Sequence, residues 1–297
     1  MIRQLLQERG GWYKGNLHMH TTRSDGALDR EAAIRFYAER GYDFVAVTDH
    51  RINGEEEDRP DITVLSGSEW DTGDNVHAPI FHILCIGNER PVQMRTAPRP
   101  AVEEIIDCIL EAGGIPILAH PSWSLMDPAD ILRCRGIAAA EIFNSISDLP
   151  MNPQRGDASL YFDLWAKQGI LLPATAADDA HTYAEEAAVS YIWLGAASKR
   201  PEDLLLAIRA GNYYASQGPR IDALSYDTDR RELTLTTRDP LACVYLASNL
   251  AWSDHRILRG QADGVYRYRV LPGESYLRAV LVDQDGKRAF TAPFATD

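Results

Sequence analysis

The chain is poor in cysteine and in positive charge, and it has no long apolar run. Only four of its 297 residues are cysteines, and none forms a Cys-x-x-Cys motif, so thiolate zinc sites and redox motifs are not expected. Thirty Lys and Arg against 43 Asp and Glu give a formal net charge of -13, which argues against binding extended nucleic acid. With no signal-peptide core and no segment able to span a bilayer, a cytoplasmic protein that does not bind membranes is expected.

What the chain does contain is the stretch Asn16-Leu-His-Met-His-Thr-Thr-Arg-Ser-Asp-Gly26. Side chains two residues apart on a strand leave the same face, so His18 and His20 can reach one cation. Asp25 follows in the predicted turn and could complete or bridge a metal site. A lone His-x-His pair is weak evidence, so its meaning depends on partners supplied by the rest of the chain.

Strand and helix patterns alternate over the first two thirds of the sequence. Strands are predicted at residues 12–17, 44–48, 62–65, 81–87, 115–119, 138–144, 170–176 and 189–194, and helices at 28–40, 102–112, 130–134, 160–168 and 201–210. This alternation indicates a mainly parallel sheet. Polar groups follow the predicted strands near residues 18, 49, 69, 119, 144 and 178. A β/α barrel brings the carboxyl ends of all its strands together at one end, the mouth of the barrel, whereas an open doubly wound sheet does so only near its switch point. The even spread therefore favours the barrel.

From about Ile221 the pattern changes to alternating strands without helices, and Asp285-Gly286 indicates a hairpin turn. We therefore predict an α/β barrel domain over residues 1–220 and a small all-β, sandwich-like domain over 221–297. The second domain could bind carbohydrate, cover the active site or mediate dimerisation, and the sequence leaves these alternatives and the oligomeric state open.

Nine residues with metal-ligand chemistry lie beside the predicted strand ends. They are His18, His20, Asp25, His50, Glu69, His82, His120, Asp179 and His181. Imidazole and carboxylate without thiolate suit Zn, Mn or Fe. Because one tetrahedral ion needs about four ligands, nine candidates indicate two or three divalent ions. A metal-bound water, with no protein nucleophile, would then attack the substrate. His82 begins its strand, so it reaches the mouth only if that strand runs antiparallel.

These segments resemble the PHP (polymerase and histidinol phosphatase) superfamily, and more closely its CehA/McbA-type metallohydrolases with a C-terminal β module. The resemblance covers His18-Met-His20, Ser24-Asp25-Gly26, Thr48-Asp49-His50, Glu69, His82, His120-Pro121 and Asp179-Ala-His181. It implies a distorted, TIM-like (β/α)7 barrel with a di- or trinuclear centre that hydrolyses esters, usually of phosphate. It also implies one metal at His18, His20, Glu69 and Asp179, a second at Asp25, His50 and His181, and a third at Glu69, His82 and His120.

Other residues are candidates for contacts with substrate. Arg23, Arg51, Arg155 and Arg220 lie near predicted loops at the mouth and could bind a phosphate. Trp123, together with Trp70, could instead line an apolar pocket for a neutral ester. Asn144 and His77 are possible catalytic groups. Asp49 and Asp178 adjoin candidate ligands and could orient their imidazoles.

The function expected from the sequence is a metal-dependent phosphoesterase acting on a phosphomonoester or phosphodiester, within EC 3.1, with a small-molecule substrate. A CehA-type carboxylic or carbamate ester hydrolase is the alternative within the enzyme class. A degenerate metal-binding scaffold whose β domain docks a partner is the non-enzyme alternative. A polymerase-associated nuclease is disfavoured by the acidic charge of the chain.

Overall fold

The computed structural model describes residues 1–95, 97–253 and 255–297. Up to residue 220 its strands are β1 (Ile2–Leu6), β2 (Gly11–Asn16), β3 (Phe44–Ala46), β4 (Glu57–Asp58), β5 (Thr63–Leu65), β6 (Gly67–Thr72), β7 (Phe81–Ile86), β8 (Ile115–Leu118), β9 (Ala139–Asn144), β10 (Ala174–Ala177), β11 (Tyr191–Ala196) and β12 (Tyr213–Ser216). The helices among them are α1 (Arg30–Ala38), α2 (Val102–Glu111), α3 (Ser159–Lys167) and α4 (Pro201–Arg209). No helix in the described parts of the chain is long and apolar enough to cross a membrane.

The helices form where their sequence supplies caps and an apolar stripe. Asp29 caps α1 by accepting a hydrogen bond from the backbone of Ala32. Helix α2 buries Val102, Ile105, Ile106 and Ile109, whose spacing repeats every three to four residues. The helix predicted over residues 130–134 is instead a 3-10 turn, Pro128–Arg133.

The first sheet consists of five strands in the order β10-β9-β8-β7-β6. Strand β9 runs parallel to β8 and β10, whereas β7 runs antiparallel to both β6 and β8. His82 was expected to reach the other candidate ligands only if its strand, β7, runs antiparallel to its neighbours. That direction is confirmed. Strand β6 was not predicted from the sequence, and Glu69 lies within it rather than in a loop.

A second sheet holds the parallel strands β2, β3 and β5, and it continues with β11, antiparallel to β2, and then β12, antiparallel to β11. Two isolated parallel bridges, Met19–Ala180 and His50–Glu69, connect this sheet with the first one. The architecture is thus mixed α/β. The described strands do not pair into one continuous closed barrel.

The C-terminal segment consists of strands alone among its described residues. They are β13 (Ala223–Asp227), β14 (Glu232–Thr236), β15 (Leu241–Ser248), β16 (Ile257–Leu258), β17 (Val265–Arg269), β18 (Tyr276–Asp283), β19 (Arg288–Phe290) and β20 (Phe294–Ala295). The sheet β1-β13-β14-β17 and the strands β15 and β18 bury one shared apolar cluster, which includes Leu224, Leu235, Val244 and Leu281. Alternating burial along β13 and β14 explains this two-sheet packing.

Backbone pairing crosses the predicted boundary between residues 220 and 221. The first residues, expected to be a polar lead, form β1 and pair with β13, while β12 pairs with β19. Arg278 of β18, which is almost fully buried, also donates two hydrogen bonds of 2.8 and 2.7 Å to the Asp163 carboxylate on α3. The division into domains at residue 220 stays a prediction.

Candidate metal centre

The His-x-His stretch extends β2 past its last regular residue. The backbone of His20 donates to the carbonyl of Ala180, and that of Asp179 donates to the carbonyl of His18. The intervening Met19 points to the opposite side and is fully buried in a separate apolar cluster. Both imidazoles therefore face the interior of the site, as the spacing predicts.

The loop after His20 is fixed by Asp49. Its carboxylate accepts hydrogen bonds from the Thr21 backbone at 2.7 Å, the Thr21 hydroxyl at 2.8 Å and the Ser24 hydroxyl at 2.8 Å. A side chain at Gly26 would come within 2.3 Å of the His20 carbonyl oxygen, so only glycine permits this close turn. Asp49 therefore anchors the loop that carries Asp25 and orients no imidazole directly.

Asp178 serves the neighbouring loop in the same way. It accepts from the Tyr37 hydroxyl at 2.9 Å and from the backbone of Ala188, Val189 and Ser190 at 2.7 to 3.0 Å. Burial raises the pKa of Asp178 to about 6, although these hydrogen bonds act against the rise. Like Asp49, it holds a loop beside the site and does not contact a candidate ligand imidazole.

Three residues at the site have left-handed backbone although none is glycine. They are Arg51 (φ 57°), His120 (φ 26°) and Asp179 (φ 54°). Such conformations persist where the surrounding structure enforces them, and they concentrate at functional sites. Two of the three are candidate ligands and the third follows His50, so the backbone is turned where these side chains meet.

The innermost group of ligand atoms comes from His18, His20, Glu69 and Asp179. The Nε2 atoms of the two histidines are 3.2 Å apart, and each lies 3.1 Å from Asp179 Oδ1. Glu69 Oε2 is 3.4 Å from His18 Nε2 and 3.2 Å from His20 Nε2. Ligands of a tetrahedral ion at about 2.1 Å stand roughly 3.4 Å from one another. The spacing of His18, His20 and Asp179 fits one shared divalent cation, and Glu69 Oε2 lies beside both imidazoles of that set.

Two further groups surround this inner one. Asp25 Oδ2 lies 3.5 Å from His50 Nε2 and 3.4 Å from His181 Nε2, at the exposed side of the site. On the other side, Glu69 Oε1 lies 2.8 Å from His82 Nδ1 and 3.5 Å from His120 Nε2. Three sets of atoms have the spacing of a metal site: His20, Asp25, His50 and His181; His18, His20 and Asp179; and His18, Glu69 and His120.

Two buried carboxylate oxygens at the centre lack a hydrogen-bond partner among the described residues. They are Glu69 Oε2 and Asp179 Oδ1, the atoms that the imidazoles of the inner group surround. An orphaned buried anion is costly unless a cation or a proton offsets it. With imidazole and carboxylate as the only donors, the group fits a divalent transition ion.

The charges of the site favour a cation as well. Burial would lower the pKa of His18 and of His20, but the carboxylates of Asp179 and Glu69 raise the first well above its usual value and the second to about 9. Burial would raise the pKa of Glu69, yet His18 and His82 hold it well below its usual range. Without metal, protons on the imidazoles therefore take the place of the cation charge. His50 differs, because burial lowers its pKa.

A cavity of about 230 Å³ opens above the ligand groups. Seven of the nine candidate ligands line it, and the remaining wall consists of Trp123, Ile146, Ser147 and Asn152. The Trp123 indole donates to the Asn152 side chain at 3.1 Å, and that side chain donates to the Ile146 carbonyl at 2.9 Å. The wall is therefore a braced aromatic face beside the ligands.

The predicted arginines are not among the described residues that line this cavity. Arg51 forms hydrogen bonds of 2.8 and 2.7 Å with the Asp71 carboxylate, and Arg220 lies over the Trp193 ring at a separate depression. Arg23 is exposed and Arg155 half-buried. Contact of these four residues with substrate stays a prediction.

The other candidates have varied positions. Trp70 is buried in the apolar core and donates to Ser68 rather than lining the cavity. His77 lies on an exposed turn, where its Nδ1 is 2.8 Å from an Asp74 oxygen. Asn144 is fully buried behind the cavity wall. Catalytic roles for His77 and Asn144 stay predictions.

Sequence reasoning missed Glu141 on β9. Its Oε1 lies 2.9 Å from His18 Nδ1, and its Oε2 accepts hydrogen bonds from the His120 backbone and the Asn144 side chain, both at 2.9 Å. The available signal was a single charged residue inside the apolar strand Ala-Ala-Glu-Ile-Phe. A charge buried in such a strand requires partners.

Comparison with known proteins supports the fold. The chain is similar to a two-domain protein containing a predicted PHP-like metal-dependent phosphoesterase from Bacteroides vulgatus, with 14% identity, a TM-score of 0.54 and 98% of each chain covered. It is also similar to an amidohydrolase from Chromobacterium violaceum with bound sulfate and no metal, with 18% identity, a TM-score of 0.44, 58% of this chain and 89% of that chain covered. No protein-family model and no curated protein matches the sequence. The first likeness, which covers almost all of both chains, shows that the two proteins share a fold.

Proposed function

We propose that this protein is a metal-dependent hydrolase of small esters, with phosphoesters as the first substrate class. One observation carries the proposal. Two buried, orphaned carboxylate oxygens, Glu69 Oε2 and Asp179 Oδ1, lie among convergent imidazoles at the floor of an open cavity. That arrangement fits cations in contact with a bound ester. The phosphoesterase named in the similar Bacteroides vulgatus protein supports phosphate as the leading class.

The finer assignments belong to the same proposal. His18, His20, Glu69 and Asp179 would hold one ion, with Asp25, His50 and His181 around a second. Glu69, His82 and His120 would contribute to a third, with Zn, Mn and Fe as the candidates. The parallel bridges at Met19–Ala180 and His50–Glu69 support a distorted seven-stranded barrel around this centre. A cytoplasmic location and the CehA/McbA-type relationship also stay proposals.

The chain's own residues would position the reaction. Bound ions would supply Lewis-acid activation of water and neutralise the charge that develops on the ester oxygen. Glu69 and Asp179 supply the negative charge that retains the ions. Trp123 and Ile146 exclude water from one side of the cavity, and Ser147 adds a polar group to the same wall. The cavity volume of about 230 Å³ suits a small molecule and not an extended polymer.

The composition of the cavity favours a second candidate, a carboxylic or carbamate ester hydrolase. A phosphate group usually binds cationic donors in addition to metals. The described residues that line this cavity include no Lys or Arg, and its wall offers an indole and an isoleucine instead. A neutral ester with a flat apolar group would match that wall better than a dianion would.

The two candidates can be distinguished with substrates that share one leaving group. Rates would be measured for p-nitrophenyl phosphate, bis-p-nitrophenyl phosphate and p-nitrophenyl acetate, each with protein loaded with Zn, Mn or Fe. The proposal expects metal-dependent release of nitrophenol that a chelator abolishes. A preference for either phosphate supports phosphoesterase activity, and a preference for the acetate supports the second candidate. No metal-dependent turnover of any of the three would contradict the hydrolase proposal for this substrate range.

A further inference from the structure

Glu141 is a buried carboxylate that belongs to none of the three ligand groups. It lies on β9, its side chain is only 1% exposed, and it is the one charged residue in that strand. A carboxylate in such surroundings must be compensated by hydrogen bonds or by charge. Its contacts therefore indicate what it does.

Each carboxylate oxygen of Glu141 contacts a residue that is a candidate metal ligand. Oε1 is 2.9 Å from His18 Nδ1, the nitrogen that faces away from the inner ligand group. Oε2 accepts from the His120 backbone N–H at 2.9 Å, at a residue whose φ is 26°. One carboxylate thus contacts the ring of one candidate ligand and the strained backbone of another.

The contact with His18 decides which ring nitrogen carries hydrogen. A carboxylate accepts, so Nδ1 donates and carries the hydrogen. Nε2 is then the nitrogen that faces Asp179 Oδ1 and Glu69 Oε2, which lie 3.1 and 3.4 Å away, and it is the one that a metal ion would bind. A metal can bind only the nitrogen that bears no hydrogen. Glu141 therefore selects the form of His18 that can ligate in the inner group.

Asn144 connects the same carboxylate to the rest of the site. Its amide nitrogen is 2.9 Å from Glu141 Oε2 and 3.3 Å from Asp179 Oδ2. Its amide oxygen accepts from the backbone of Ser147, a residue of the cavity wall, at 3.0 Å. A displacement of Glu141 would therefore reach Asp179 and the cavity wall as well as His18.

We propose that Glu141 is the positioning residue of the metal centre, which fixes the tautomer of His18 and the backbone of His120 without binding metal itself. This inference rests on the proposed function, because it assigns Glu141 a role toward the proposed ions. It adds a residue that the ligand pattern in the sequence did not contain.

Replacing Glu141 with glutamine tests the role with little change of volume. If the amide oxygen keeps the hydrogen bonds from His120 and Asn144, the amide NH2 faces His18 Nδ1 and donates to it. The imidazole hydrogen then moves to Nε2, which can no longer bind metal. If the amide flips, its NH2 faces two N–H donors and leaves both unpaired. Either orientation weakens the centre.

The measurement is zinc affinity by competition with a chromophoric chelator, together with the rise in melting temperature that zinc causes. Removing the hydrogen-bond partner of a metal-binding histidine typically lowers metal affinity about 10- to 100-fold. We therefore expect Glu141→Gln to weaken zinc binding by about the same factor. Its zinc-dependent rise in melting temperature should shrink. Glu274→Gln is the matched control, because Glu274 is equally buried but lies among the C-terminal strands β13 to β20, called the β segment below. It should keep wild-type zinc affinity.

The outcomes separate the two claims. Wild-type zinc affinity in folded Glu141→Gln would overturn the role of Glu141 and leave the hydrolase proposal intact. A wild-type protein that binds no metal would overturn the proposed function and this inference with it. If Glu141→Gln does not fold, ¹⁵N spectra of histidine-labelled, zinc-loaded wild-type protein decide the question. We expect a slowly exchanging hydrogen on His18 Nδ1 and zinc on Nε2, and the reverse arrangement would overturn the proposal.

Discussion

Two glutamates in different regions of the molecule are equally buried and have opposite surroundings. Glu274, in the β segment, accepts from the Ser248 and Tyr268 hydroxyls at 3.0 Å and from the Leu271 backbone at 2.8 Å, and Arg256 Nε lies 3.2 Å from it. Glu69, at the candidate metal centre, has histidine as its only cationic neighbour, and its Oε2 has no hydrogen-bond partner among the described residues.

The difference between these glutamates shows how a structural charge differs from a binding one. An arginine is permanently charged and satisfies a buried carboxylate in every condition. An imidazole can give up its proton, so a carboxylate surrounded by imidazoles has a place that a proton or a metal ion can take. Burial alone does not identify a site, but the kind of partner does.

The largest expected effect is the loss of hydrolysis when the negative charge of Glu69 is removed. Glu69→Gln removes the charge shared by two of the proposed ions, so we expect turnover of the preferred nitrophenyl substrate to fall by about 1,000-fold. Circular dichroism would check that the variant is folded. Turnover within a few-fold of wild type in metal-loaded, folded protein would contradict the assigned role of Glu69.

The matched substitution in the β segment should affect stability instead. Glu274→Gln leaves the buried Arg256 without its counter-charge, so we expect the free energy of unfolding to fall by about 3 kcal/mol, as measured by urea denaturation. The turnover number of the folded fraction should equal that of wild type. If this variant lost activity while remaining fully folded, the distinction between the two glutamates would be wrong.

A smaller effect should appear in the pH dependence of stability. The pKa of His20 in the folded, metal-free protein is about 9, above the ordinary value of 6.5. The stability that its proton contributes is fully present below pH 6.5 and is lost as the pH rises toward 9. We expect the melting temperature of metal-free protein to fall over this interval relative to that of zinc-loaded protein, in which metal replaces the proton. Parallel curves for the two forms would contradict this account of the site charges.

The smallest expected effect concerns the aromatic wall. Trp123→Ala removes one face of the cavity, so we expect the KM for the preferred nitrophenyl substrate to rise about fivefold, which corresponds to roughly 1 kcal/mol for an aromatic contact. Trp252→Ala is the control, since Trp252 is 79% exposed in the β segment and outside the described cavity lining. An equal effect of both substitutions would show that the cavity does not bind the leaving group.

Local patterns predicted much of the fold because each helix carries its own apolar stripe. The four α-helices among the described residues lie within or near their predicted ranges, and β1, β6, β12 and β13 are the clear omissions. Strand β1 is the short segment Ile-Arg-Gln-Leu-Leu, and it pairs with β13, more than 200 residues away. Such long-range pairing has no local signature, so sequence reasoning could not find it.

The candidate site shows the same difference between what local sequence predicts and what only long-range packing reveals. The nine possible ligands were identified by residue type and strand-end position, and the structure brings them close to one another around Glu69, Asp179 and Asp25. The orienting role expected of Asp49 and Asp178 was wrong, because both bind loop backbone rather than imidazoles. Glu141 contacts His18 across 123 residues of sequence, a relation that only the packing of β9 beside the site reveals.

Anomalous diffraction from crystals of the zinc-loaded protein, measured on both sides of the zinc edge, tests the central claim most directly. The account predicts at least two peaks within this site. One should lie about 2.1 Å from His18 Nε2, His20 Nε2, Glu69 and Asp179, and none should lie beside Glu274. A zinc-loaded protein with no peak among these residues would contradict the metal centre and the function built on it.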